Sequence, residues 1–147
     1  MSTASTKKEA FSNFFQAYGR VSKEVDRRML EAGVVSLEVY DVLLSLEDAP
    51  EQRMRMSELA DHIIYSRSGL TRLADRLEQQ GLIQRVACPN DRRALHVTLT
   101  SAGLRERERA WPVLEAAMTE LFSDLITDAE AATVRDVFAR VLAKLGK

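Results

Sequence analysis

Cysteine is nearly absent from the 147 residues, and the lone Cys88 excludes an internal disulfide framework. Histidine is almost as scarce. His62 and His96 form no metal-ligand spacing with Cys88 or with a pair of carboxylates, so no metal or other cofactor is expected. The six glycines are scattered, with no G-x-x-x-x-G-K phosphate loop and no G-x-S-x-G elbow, and nothing else in the chain points to an enzyme. No apolar run approaches the roughly 18–20 residues of a membrane span. The start, Met1 to Glu9, is small, polar and charged rather than signal-like. A soluble intracellular protein is expected.

Charge of one sign is missing overall, since 21 basic residues meet 22 acidic ones. The average hides an asymmetry. Between Ile64 and Leu95 stand six arginines (67, 72, 76, 85, 92 and 93) and three acids (75, 78 and 91). That stretch carries +3 and the remainder −4. A local basic face of this kind is compatible with a polyanionic partner, because phosphate contact depends on the local field.

Hydrophobic residues make up 46% of the chain, enough for a real core. Phe11 to Met29 shows apolar residues at helical spacing, with Gly33 as its C-terminal cap. Ser36 caps a second helix with a core face of Leu37, Tyr40, Leu43 and Leu44, ending near Pro50. Met54 to Met56 reads as a short extended piece, and Ser57 as the cap of a two-turn helix to Ile63. After a tight break at Tyr65-Ser66, a helix capped by Ser66 runs to Gln80 and stops at Gly81. Two short helices so joined make a helix-turn-helix.

Beyond Gly81 the period changes to two. Residues 82–87 and 95–99 read as strands joined by the loop 88–94, a hairpin wing whose Leu95, Val97 and Leu99 share a face. Thr100 then caps a long helix, in which Pro112 predicts a kink or a restart. Thr127 or Asp128 opens a last helix with Val134, Val137, Phe138, Val141, Leu142 and Leu145 on its apolar side. The wide apolar stripes at both chain ends fit either a homodimer about a twofold axis or an ordinary monomeric helical core.

On the helix from Ser66, Leu70, Leu73, Ala74 and Leu77 fall on one side at 100° steps. Ser68, Arg72, Asp75 and Gln79 fall opposite, flanked by Thr71 and Arg76. Hydroxyl, guanidinium and amide groups there can donate to base edges and phosphates. Ser66, Arg67 and Ser68 occupy the first turn, where free N–H groups favour a phosphate. The plainer alternative is a solvated face with pairs such as Arg72 with Asp75. Asp91-Arg92-Arg93 stands at the hairpin tip, where an extended arginine can reach into a minor groove and Asp91 can orient it.

The run SELADHIIYSRSGLTRLADRLEQQGLIQRVACPNDRRALHVTLTSAG resembles the core of the MarR family of bacterial and archaeal transcriptional regulators. Ser66 with Thr71-Arg72-Leu73, Asp75 to Glu78, Gly81-Leu82-Ile83, Asp91 to Ala94, and Leu99 to Gly103 carry the likeness. It implies a mainly α fold with a small β-hairpin wing (α+β): one domain over 1–147, a winged helix-turn-helix lobe at 35–100, and dimerisation helices at 9–33 and 101–147. It implies a homodimer on a pseudo-palindromic double-stranded DNA operator, in a prokaryotic cytoplasm and associated with the nucleoid. Ser66, Arg67, Ser68, Thr71, Arg72 and Arg76 would contact the operator through the helix, and Arg93, with Arg92 beside it and Asp91 as organiser, through the wing. A repressor of its own or a neighbouring operon, released by a small aromatic or phenolic effector, is the implied role. Phe14, Tyr18, Tyr40, Tyr65 and Trp111 are the candidate pocket residues. The competing readings are a winged helix that binds protein rather than DNA, and a ligand-independent activator. Cys88 beside Arg85 and Arg92 is a candidate redox thiol, against the plainer reading of an incidental one.

Overall fold

A computed structural model describes residues 3–63, 67–88 and 90–146; of Arg67, Asp91, Arg92 and Arg93 it describes the backbone alone. Helix α1 spans Thr3–Glu31 and α2 Leu37–Asp48. A 3₁₀ turn at Pro50–Gln52 leads into strand β1, Arg53–Arg55. Then come α3 at Met56–His62, α4 at Arg67–Gln79, β2 at Ile83–Cys88 and β3 at Asp91–Leu99. Helix α5 covers Ser101–Leu121, a second 3₁₀ turn Ser123–Leu125, and α6 Asp128–Lys144. The expected mixture of helices and a β-hairpin wing is present. No described helix is long and apolar enough to cross a membrane.

Helix boundaries follow from capping chemistry. Ser36 accepts the Val39 N–H at 3.2 Å to start α2. At α6 the Thr127 hydroxyl accepts from the Glu130 N–H, while the Glu130 carboxylate accepts from the Thr127 N–H at 2.8 Å, a reciprocal capping box. Gly33 and Gly81 sit at positive φ, 69° and 75°, just past α1 and α4. In each case the next residue reaches back across the turn: Val34 N–H to Met29 O, and Leu82 N–H to Leu77 O.

Four expectations need correction. Helix α1 begins at Thr3, well before the apolar stripe, because Lys7, Lys8 and Glu9 suit a solvated helix and leave no hydrophobic period. Helix α3 is capped at Arg55 rather than Ser57; the Glu58 carboxylate accepts the Arg55 N–H at 3.0 Å, drawing the start forward. Pro112 causes no restart, since α5 runs unbroken from Ser101 to Leu121. Buried Ala110 and Ala117, one on each side of the proline, pack both halves into the cluster around Val25 and Met29 of α1. The loop expected at 88–94 is shorter, because β3 already starts at Asp91.

The sheet has strand order β1-β3-β2, all antiparallel. Met54 pairs with Val97 and Arg85 with Val97 from the other side, so β3 is the central strand. Val97 and Leu99 are buried beneath it, joining Leu43, Leu46, Leu59, Ile63, Leu70, Leu77 and Ile83 in one core. Leu95 shares their face but lies beyond that core and is exposed. A second core joins Val25 and Met29 of α1, Tyr40 of α2, and Ala110 and Ala117 of α5. Helix α2 serves both, which is why Val39, Val42 and Leu46 are buried besides the expected Tyr40 and Leu43.

Candidate nucleic-acid interface

Helix α4 is held by its apolar side. Leu70, Leu73, Ala74 and Leu77 are all buried, and each leucine contributes about 1.5–3 kcal/mol as an upper range. That anchoring fixes the rotation of the helix about its own axis. Ser68, Thr71, Arg72, Asp75, Arg76 and Gln79 are consequently all exposed. Ser66 and Tyr65 lie outside the described residues, as do the side chains of Arg67, Asp91, Arg92 and Arg93.

The carboxylates of α4 are spoken for from a direction the helix itself does not reveal. Arg85, on β2, places its guanidinium 2.6 Å from Asp75 and donates through Nε to Glu78 at 3.1 Å. Its backbone N–H also reaches Glu78, at 2.9 Å. The hydrogen bonds from Arg85 hold the Glu78 carboxyl below its usual range, and those from Glu78 raise Arg85 in turn. The expected Arg72 with Asp75 pair is therefore replaced by one across the helix–wing junction. Arg85 with Asp75 and Glu78 forms a cluster of formal −1, and the rest of the stretch sets five arginines against Asp91, so the local total stays at +3. In the sequence Arg85 stands only as one of six local arginines and as a neighbour of Cys88. Its position two residues into a strand that leaves α4 through a tight glycine turn was the available signal.

In the wing, Ala87 pairs with Leu95 but Cys88 pairs with Asp91, so residues 92–94 form an extra stretch on β3. A bulge of this kind bends a strand and increases its local twist. The same irregularity brings Cys88 Sγ to 3.3 Å from His96 Nδ1, although the sequence offered no ligand relation between them. Cys88 is buried, and among the described residues no group of three metal-ligating side chains occurs. On the outer side of the sheet, Arg55 lies opposite His96 and Arg53 opposite Thr98. Both arginines are exposed, and neither was singled out by the sequence because the pairing of β1 is long-range.

The pocket candidates separate. Tyr18 and Tyr40 line one cleft of about 560 Å³ where α1, α2 and α5 meet. Phe14 packs instead against Phe138 of α6, ring centroids 5.0 Å apart, and Trp111 stands exposed on α5 away from the cleft lining. Beside the cleft, the half-buried Arg107 of α5 is paired with Glu47 of α2.

Residues 35–94 match the model of the MarR family. Over 118 residues the chain is 32% identical to the transcriptional repressor MprA of Escherichia coli K12, covering 80% of this chain and 64% of that protein. It therefore spans less than two thirds of that relative's length. Its fold matches AbsC, a MarR family transcriptional regulator from Streptomyces coelicolor, with a TM-score of 0.86 at 24% identity over 100% of this chain and 98% of the other. It also matches Sco3205 of the same organism, solved in complex with DNA, with a TM-score of 0.87 at 24% identity over 99% and 93%.

Proposed function

We propose that this chain, whose residues 35–94 match the MarR family model, is a member of that family and a sequence-specific DNA-binding transcriptional regulator acting as a homodimer. The observation that carries this is the exposed polar face of α4. Arg72 and Arg76 stand on it in solvent while Arg85 engages both acids of the helix, Asp75 and Glu78. A rigid helix with that face suits a major groove, with Ser68, Thr71 and Arg72 turned to bases and Arg76 to the backbone. Ser66 and Arg67 extend this set at the helix start, and Arg93, with Arg92 and Asp91, reaches the minor groove from the wing. Two copies would set their recognition helices roughly 34 Å apart on a pseudo-palindromic site. Repression of its own or a neighbouring operon, relieved by a small effector in the cleft at Tyr18 and Tyr40, completes the reading.

Fluorescence anisotropy on duplex DNA from the chain's own upstream region tests the DNA half. Arg72→Ala should cost about 1–3 kcal/mol and relax base preference at its contact, whereas Arg76→Ala should weaken all sequences alike. Equal affinity for every duplex in the unaltered protein, or no binding at all, would overturn the reading and favour a protein-binding winged helix.

A further inference from the structure

We propose that the cleft between α1, α2 and α5 takes a cationic amphipath: an aromatic or hydrocarbon body carrying an amine or quaternary onium group. The proposal rests on the reading of this chain as an effector-controlled regulator, and names the chemistry of the effector. The cleft offers two kinds of wall. Tyr18, Tyr40, Leu37 and Leu114 supply rings and apolar surface, with Tyr40 buried behind them. Asp26, Glu38 and Asp41 supply three carboxylates, while the nearby Arg107, which hydrogen-bonds Tyr40, is already paired with Glu47 and is not in the lining.

Among the described residues none of these carboxylates is ion-paired to a lysine or arginine. Asp26 accepts only the Leu37 N–H, at 2.8 Å. Burial pushes the Asp41 carboxyl up, opposed by the field of His62. An acidic effector would bring a fourth negative charge into this site. A cation would relieve the repulsion among the three acids, and the exposed Tyr18 ring is available to pack on it. The phenolic or aromatic acid suggested by family likeness is thereby disfavoured here.

Two tetrahedral ions of nearly equal shape and opposite charge make the test direct. Calorimetric titration of the full chain should show saturable binding of tetraphenylphosphonium, about tenfold or more tighter than tetraphenylborate, a difference of about 1.4 kcal/mol. The double variant Glu38→Gln/Asp41→Asn should lose about tenfold in phosphonium affinity, with unchanged thermal unfolding showing that its fold is kept. Phosphonium binding that is absent, matched by the borate, or indifferent to the double variant would overturn the proposal. If the phosphonium binds as stated but upstream DNA is not bound by the free protein, the regulator reading fails and the ligand assignment stands.

Discussion

Gly103 shows how much one missing side chain can decide. A Cβ built there would lie 2.1 Å from the Leu82 carbonyl oxygen and 2.7 Å from Leu99 Cδ1. The carbonyl cannot swing aside freely, because it accepts the Thr100 N–H at 3.2 Å. Thr100 meanwhile donates its hydroxyl to Gly81 O and accepts from the Gly103 N–H, so the end of α4, the base of the wing and the start of α5 meet at one point. Gly103→Ala should destabilise the protein by about 2 kcal/mol or more, read as a lower urea midpoint at unchanged slope. A midpoint equal to that of the original protein would mean that the junction relaxes at no cost. The sequence pattern Leu99 to Gly103 marked this place by resemblance, yet the reason for its glycine is a contact with Leu82, some twenty residues back. Asp75 has the same character. Its negative charge on a polar helix face is accounted for by Arg85, 2.6 Å away on β2.

Elements divide between those whose edges are chemical and those whose edges are tertiary. The caps at Ser36, Thr100 and Thr127 are local, and the helices they start were placed correctly from sequence. The apolar face of α4 was readable for the same reason, since a 3.6-residue period directly records burial. What periodicity missed was helix without burial, as at the start of α1, and pairing without local repeat, as in β1 against β3. Helix α4 and strand β2 form one unit through Arg85, and the proposed DNA binding depends on it. Arg85→Gln leaves Asp75 and Glu78 facing outward without compensation beside Arg72 and Arg76. Operator affinity should fall about fivefold to tenfold at low salt, with the double variant Arg85→Gln/Asp75→Asn recovering most of it. Anisotropy titrations of the two variants would show this, and equal affinities for both would reduce the ion pair to a structural strut.

At the scale of the molecule the open question is what covers the ends. Helix α6 has no buried residue, and α1 buries only Val25 and Met29. Phe11 is 66% exposed, Phe15 58% and Leu142 50%, on helices whose sequences carry continuous apolar stripes. Within the one chain, Phe14 against Phe138 is the ring contact joining the ends of α1 and α6 among the described residues. The sequence left a dimer and a monomeric core as alternatives, because a stripe records that something is buried and not by whom. The exposure of these side chains in a single copy supports the dimer, in line with the large apolar surface a soluble monomer seldom displays. On the proposed reading a second copy would also turn a modest basic face into a tight binder, since two helices on one duplex share a single loss of translational freedom.

The most direct test is the affinity of the upstream duplex for the protein carrying Val141→Glu and Leu142→Glu, measured by anisotropy at concentrations where sedimentation shows that variant to be monomeric. Every residue proposed to face DNA is left in place, so the paired-helix claim predicts a loss of about a hundredfold or more. A monomer that kept the affinity of the original protein would contradict it.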